Sequence, residues 1–379
     1  MSRLEELIEE LCPDGVKYKT LDDICNITRG RVMSKEYLRD NDGDYPVYSS
    51  QTLNNGIFGY IDNYDYDYES ITWTTDGANA GSVFYHINEK FSITNVCGLL
   101  RVLNAQEVNT RFLYYCLQVR TKEYVNSGMG NPKLMSNVMA RVIIPLPPLP
   151  VQYEIVRILD NFTELTAELT AELTAELTAR KRQYEYYRNE LMTFGDNVPM
   201  GTLGIVATNL DSKRKPVTKG SRESGEYPYY GASGIVDYVS DYIFDGDYLL
   251  VSEDGANLVA RVTPIAFSAS GKIWVNNHAH VLKFETYVER KFFEYYLNMI
   301  DLSLFISTAA QPKLTQYNLN KIPVPVPDIE EQERIVAILD RFDALINDIT
   351  QGLPAEIEGR RKQYEYYRDK LLSFEEASA

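Results

Sequence analysis

The chain contains itself twice, and any fold must accommodate that. Residues 180–194 read RKRQYEYYRNELMTF and residues 360–374 read RRKQYEYYRDKLLSF, with nine of fifteen positions identical at an offset of 180. Upstream, VQYEIVRILDNF (151–162) and EQERIVAILDRF (331–342) agree at seven of twelve positions at the same offset. A tandem duplication implies a pseudo-twofold molecule with two similar sites on one chain. The chain of 379 residues is long enough for each copy to build its own core.

Each copy has two parts. The first is rich in Tyr, Gly, Asn and β-branched residues, with short apolar runs such as SITW (70–73), ARVIIPL (140–146), YLLVS (248–252) and HVLKF (280–284). These predict strands, joined by turns and by helices at TRFLYYCLQV (110–119) and ERKFFEYYLNM (289–299). The second part follows a proline block, IPLPPLP (144–150) or IPVPVPD (322–328), where a helix cannot continue from upstream. The fold class is therefore α+β: two globular domains and a pair of long antiparallel helices between them. The expected divisions are 1–150 (N-terminal helix and first domain), 151–195 (first long helix), 196–328 (second domain) and 329–379 (second long helix).

The helices carry their own periodicity. Ile155, Ile158, Leu159, Phe162 and Leu165 form an apolar stripe that Ile335, Ile338, Leu339, Phe342 and Leu345 repeat. The first helix then runs in tetrads, FTEL followed by three TAEL units, which place Leu165, Leu169, Leu173 and Leu177 four residues apart. The second helix has Ile349, Leu353 and Ile357 at matching places, but Gly352, Pro354 and Gly359 should kink or interrupt it. Antiparallel packing buries both apolar faces and places the two globular parts at opposite ends. The segment DGVKYKTL (14–21) matches DNVPMGTL (196–203), so the N-terminal helix takes the place that 184–193 holds before the second domain. The layout is nearly circular, and the termini should be close.

The net charge of −16 argues at first against a polyanionic partner. Its distribution changes that reading. Segments 1–14, 151–198 and 329–379 carry −4, −4 and −5, against −1 and −2 for 15–150 and 199–328. The domains are near neutral and hold local basic clusters. Arg29, Arg31 and Lys35 lie in ITRGRVMSK; Lys213, Arg214, Lys215, Lys219 and Arg222 lie in TNLDSKRKPVTKGSR. Lys133 and Lys313 occupy one place in both copies, in NPKL and QPKL. The DGAN motif also recurs, at 76–79 and 254–257. Between such anchors the loops diverge, SSQTLNNG (49–56) against GASG (231–234). One scaffold with different loops reads as two binding domains with different targets. Asn and Gln can read adenine, and Arg and Lys can read guanine or hold phosphate. The candidate DNA contacts are Arg29, Arg31, Lys35, Ser49, Gln51, Asn54, Asn79 and Lys133 in the first domain. In the second they are Lys213, Arg214, Lys215, Arg222, Ser233, Asn257, Gln311 and Lys313. Taken singly, a basic run also reads as a solvated loop, and DGAN as a plain turn. The QYEYYR blocks, with Tyr184, Tyr187, Tyr364 and Tyr367, read as helix interfaces, within the chain or with another chain.

Catalytic signatures do not emerge. The sequence has no phosphate-loop motif, no GxSxG, and only an isolated GMGNP (128–132) in place of a dinucleotide fingerprint. His86, His278 and His280 lack ligand spacing, and Cys12, Cys25, Cys97 and Cys116 form no CxxC pair and are not duplicated. No metal or catalytic site is expected on this chain. The expectation is instead ordinary structural histidines, a reduced cytoplasmic setting and no membrane span.

The paired PLPPLPVQYEIVRILD and PVPDIEEQERIVAILD segments, the paired QYEYYR helices and the TAEL tetrads together resemble the DNA-specificity subunit of type I restriction–modification systems, HsdS, of the branch with tetrad spacers. The resemblance covers nearly the whole chain. It implies two target-recognition domains, each reading half of a bipartite, asymmetric duplex DNA target, with the helices setting the gap. It also implies docking of two methyltransferase (HsdM) subunits and, in the full complex, motor–nuclease (HsdR) subunits. Adenine methylation from S-adenosylmethionine, and ATP- and Mg-dependent cleavage, would belong to those partners, with no cofactor on this chain. A reading from a different class is a coiled-coil scaffold whose Tyr-rich domains bind protein partners.

Overall fold

A proline block closes a two-stranded ribbon in each copy and then starts a helix. Ile143–Leu146 pairs antiparallel with Lys17–Thr20, and Pro323–Pro325 pairs with Met200–Thr202. Proline donates no N–H, and a two-stranded edge is where that loss is tolerated. The computed structural model describes residues 2–128, 130–307, 311–347 and 352–377. In chain order its longer helices are α1 (Arg3–Leu11), α2 (Thr110–Arg120), α3 (Leu149–Leu191), α4 (Tyr287–Met299), α5 (Ile329–Asn347) and α6 (Leu353–Leu371). The chain divides into two compact units, Met1–Ala171 with Glu358–Ala379, and Glu172–Ile357. The tetrads lie inside α3, whose first half belongs to one unit and second half to the other. Threonine is a modest helix former, but here it can bond backward: Thr178 Oγ1 donates to the Thr174 carbonyl at 2.9 Å.

The second helical run is divided into α5 and α6. Pro354 sits in the first turn of α6, where the missing N–H has no helical partner to lose. Gly359 lies within α6 and does not end it. The expected apolar position Ile349 lies outside the described residues.

In the first unit, an antiparallel sheet runs in the order Cys25–Arg29, Cys97–Val102, Ser70–Thr74, Val83–His86. Beside it, the hairpin Tyr45–Tyr48 and Ile57–Ile61 pairs in parallel with Ser92–Ile93. The second unit joins the same parts into one six-stranded sheet, because Ala266–Val275 is continuous and its Tyr229–Tyr230 neighbours pair in parallel with Trp274–Val275. The interruption in the first copy falls at Ile87–Lys90, where Asn88 takes a left-handed φ of 54°. Asparagine tolerates that conformation, and it ends the strand.

The helix stripes complete both cores. Val151, Ile155 and Leu159 of α3 pack with Trp73, Phe112, Leu113 and Ile144. Ile335, Val336 and Leu339 of α5 pack with Phe292, Phe293, Leu249 and Val324. Each such buried side chain contributes about 1.5–3 kcal/mol. The polar fittings are duplicated too. Gln152 and Gln332 are both buried; their Nε2 atoms donate to the carbonyls of Pro147 (2.7 Å) and Pro327 (2.9 Å), tying each proline block to its helix. Buried Tyr115 donates to Asp160, and buried Tyr295 donates to Asp340 at 2.6 Å. Burial first, then these carboxylate bonds, push both phenols well above the ordinary tyrosine range. Replacing Asp340 by Ala should therefore leave the Tyr295 hydroxyl buried without an acceptor. The expected cost is about 1–3 kcal/mol, read as a lower urea midpoint with an unchanged slope.

Each QYEYYR block packs on the other copy's stripe, in its own unit. In the first unit, Tyr364 meets Thr163 at 2.9 Å and Tyr367 lies 6.2 Å from Phe162. In the second, Tyr187 stacks on Phe342 at 5.7 Å and Tyr184 lies 6.4 Å from it. The first unit also ties an N-terminal segment to a C-terminal one. Val16 N donates to Glu375 O and Ala377 N donates to Val16 O, each at 2.9 Å.

Candidate nucleic-acid interface

The DGAN and Pro–Lys–Leu motifs, distant in sequence, form one structure in both copies. Gly77 N donates to Pro132 O and Leu134 N donates to Thr75 O; likewise Gly255 N donates to Pro312 O and Leu314 N to Glu253 O. Gly77 and Gly255 have φ of 88° and 109°, which explains the glycine in the motif. Lys133 and Lys313 are thereby carried on equivalent braced segments, both exposed. Their settings differ. Lys313 Nζ lies 3.0 Å from Glu253, whereas the residue at that place in the first copy is Thr75. Asn79 and Gln311 are exposed. Asn257 is committed to its own loop, exchanging both side-chain hydrogen bonds with the Thr263 backbone at 3.0 and 3.1 Å.

Around this centre the first unit brings several expected residues together. Arg29 reaches Thr75 Oγ1 at 3.0 Å. Arg31 runs beside Thr94, whose hydroxyl donates to buried Ser49 at 2.9 Å. Arg31 is itself held by Asp65 (3.1 Å) and Tyr37 (2.9 Å). Gln51 braces its hairpin by donating to Ile57 O. At the tip, Asn54 and Asn55 both have left-handed φ, 51° and 52°, and Leu53 beside them is 82% exposed. Lys35 is exposed at the start of a short helix.

In the second unit the basic run divides into two roles. Lys213, Lys215 and Lys219 are exposed. Arg214 is turned inward: its Nη1 bonds Glu253 (2.6 Å) and the Ala279 carbonyl (2.8 Å), and its Nη2 lies 3.3 Å from Asp211. Arg222 bonds Asp237 (3.0 Å) and Val217 O, and lies 4.3 Å over the Tyr229 ring. Both arginines brace the loop that holds the lysines. Ser233 is exposed at a tight hairpin turn.

No spacing along the chain points to what lies beneath Lys313. Asp211, Glu253 and His280 are buried together, with His280 Nδ1 2.6 Å from Asp211 and 3.7 Å from Glu253. Among the described residues this is the grouping with metal-ligand chemistry. Arg214 already lies against both carboxylates and, together with Lys313 on Glu253, offsets the negative charge a cation would need. Burial alone would raise the Asp211 and Glu253 carboxyls. Hydrogen bonds and charge from His280, Arg214 and, for Glu253, Lys313 outweigh it and hold both below the ordinary range.

On the helices, Leu169, Leu173, Leu177, Ile357, Tyr184 and Tyr364 are half-buried and Leu353 is buried. Leu165 is 52% exposed. In the first unit, Phe162, Leu165, Leu169, Tyr364 and Tyr367 line a groove of about 250 Å³ between α3 and α6. Tyr186 and Tyr366, equivalent in the repeat, are 61% and 63% exposed, each edge-on to the tyrosine that follows.

Two related α+β units with equivalent, differently furnished loops, each packed on its own pair of helical segments, define a duplicated scaffold protein. The chain belongs to the type I restriction modification DNA specificity domain family, whose model matches it twice, at residues 13–179 and 197–359. A chain named as a type I specificity subunit in Mycoplasma pneumoniae is 31% identical, covering 93% of this chain and 96% of that one. A type I restriction enzyme specificity subunit of Haemophilus influenzae is 33% identical over 98% of both. A solved chain from a study of assembly and conformational transition of the type I R-M system has a TM-score of 0.67 at 15% identity, covering 96% and 98%. The HsdS subunit of Thermoanaerobacter tengcongensis has a TM-score of 0.51 at 16% identity, covering 96% and 97%. At these identities the structures show the shared fold. DNA target recognition in a type I restriction–modification system is thus the role of this chain, that of a specificity subunit. Among the described residues, no helix is long and apolar enough to cross a membrane.

Proposed function

We propose that this specificity subunit reads a bipartite, asymmetric duplex target, with residues 1–150 engaging one half-site and 196–328 the other. The observation that carries this reading is the split within the repeat. The DGAN and Pro–Lys–Leu framework is retained in both copies, while the loops at 27–35 and 49–56 differ from those at 208–222 and 231–234. Exposed Lys35, Lys133, Lys213, Lys215 and Lys313 hold phosphates, with Arg29 beside them. Exposed Asn54, Asn79, Ser233 and Gln311 meet base edges in this reading. Arg31, Arg214, Arg222, Ser49, Gln51 and Asn257 act from behind, by fixing the loops.

The helices dock two methyltransferase subunits at equivalent places, with motor–nuclease subunits joining in the full complex. The exposed, repeat-related aromatic pairs Tyr186–Tyr187 and Tyr366–Tyr367 support this. Two identical catalysts on opposite strands need two equivalent docking places. Methyl transfer, ATP hydrolysis and DNA cleavage, with their cofactors, belong to those partners.

The test is to express the chain with its methyltransferase subunit and sequence the methylome of the host. One methylated motif with two unlike halves and a fixed gap is expected. A contiguous motif, or no motif with an intact complex, defeats the proposal. Binding of the complex to duplex DNA should also weaken steeply with salt, since phosphate contacts release counterions; a flat salt response would favour the protein-binding scaffold.

A further inference from the structure

The Pro–Lys–Leu segments end on a buried leucine whose carbonyl is capped in both copies, but by different residues from different strands. In the first copy, Trp73 Nε1 donates to Leu134 O at 3.0 Å. In the second, His280 Nε2 lies 2.8 Å from Leu314 O. Strand register explains the exchange. Trp73 faces Gly98 across its strand pair, and Val251 faces His280 in the corresponding pair. The large residue has changed sides. A Cβ on Gly98 would come within 2.1 Å of the Trp73 ring, so the first copy has no room for a histidine there.

A tryptophan cap is always an N–H donor. A histidine is one only if the right nitrogen carries the proton. A carbonyl oxygen can only accept, so Nε2 must be protonated. Nδ1 lies 2.6 Å from Asp211, whose other oxygen accepts from Val281 N at 2.9 Å. Arg214 also lies against Asp211, which fits an ionised, accepting carboxylate. Nδ1 must then be protonated as well. A neutral imidazole cannot donate twice, so the hydrogen-bond pattern calls for an imidazolium, fully buried. The charged groups facing it are Asp211 and Glu253, with Arg214 and Lys313 behind them; with His280 charged, the four groups beneath the Lys313 segment balance to zero, and the one net positive charge of the cluster is that of Lys313 itself.

We propose that His280, as a buried imidazolium, is the positioning residue for the DNA-contact segment 311–314 of the second recognition domain, in the role that Trp73 fills in the first. The inference rests on the bipartite reading above. It makes the two domains equivalent in geometry and unlike in chemistry. The first holds its segment with a neutral aromatic donor, the second with a charge network that also restrains Lys313 through Glu253.

Two measurements test it. In the full chain labelled with 15N-histidine, at neutral pH, His280 should show two exchange-protected ring N–H signals, assigned by their loss in His280→Gln. A single ring proton on His280 would overturn the proposal, as would their replacement on adding zinc chloride at one equivalent. The second measurement uses the complex with its methyltransferase subunit. His280→Ala should reduce methylation at the native motif by roughly tenfold, the scale of one unsatisfied buried group, or make the second half degenerate, while leaving the first half unchanged. The graft Val251→Trp with His280→Gly rebuilds the first copy's cap and should restore the second half. A motif untouched by His280→Ala, or a folded graft that restores nothing, refutes the positioning role. Should the graft fail to fold, the ring-proton count decides. Failure of the bipartite reading itself would look different, because the unaltered complex would then give no two-part motif.

Discussion

On the proposed bipartite reading, deleting residues 170–173 should abolish methylation at the native motif and create a new one, with both halves unchanged and the gap between them shorter by one base pair, two at most. The tetrads lie within the continuous helix α3, so removing four residues shortens it by about 6 Å at 1.5 Å per residue. It also removes about 40° of right-handed rotation. One base pair of DNA rises about 3.4 Å and turns by about 35° in the same sense. Length permits one or two base pairs; rotation, where helix and DNA run alongside, matches one. Methylome sequencing of cells carrying the deleted form reads the result directly. An unchanged gap would remove the ruler role from the tetrads, and a changed half-site would mean that the deletion had disturbed a recognition domain.

Replacing Trp73 by Ala should collapse the first recognition domain and spare the second. Trp73 is fully buried and packs against Gly98, Phe112 and Ile144. Losing a buried ring of that size costs about 3–5 kcal/mol, and the Leu134 carbonyl loses its donor, for about 1–3 kcal/mol more. The sum is comparable to the whole stability of many domains. Hydrogen exchange followed by mass spectrometry should show protection lost over Ser70–Thr74 and Cys97–Val102 and kept over Phe244–Ser252 and Ala266–Val275. Uniform loss across both units would mean that they unfold together. Retained protection everywhere would mean that the Trp73 site repacks.

Much of this fold is written in local patterns of the sequence, for identifiable reasons. The stripes at Ile155–Leu159 and Ile335–Leu339 are periodic, and periodicity is local. The proline blocks announce a strand end and a helix start within a few residues of themselves. The features that local patterns do not carry depend on partners far along the chain. Arg214 reads as part of a basic run; only the fold brings in Glu253, 39 residues on, to hold it inward. Asn257 reads as a base-reading side chain, yet Thr263 occupies both its groups. His280 has no ligand spacing in the sequence, and its partners Asp211 and Leu314 lie 69 and 34 residues away. The split of one sheet into two in the first copy turns on the conformation at Asn88, which no periodicity reports.

The strand-like pairing of Val16 with Glu375 and Ala377 closes the polypeptide on itself. A closed path has no privileged starting point. Fusing the two ends through a short linker and opening the chain near residue 196 would give a protein that begins with the second recognition domain and finishes with the first. Its folded form, and the DNA it selects, should be the same. On the proposed bipartite reading, which recognition domain is translated first would then have no bearing on the DNA selected.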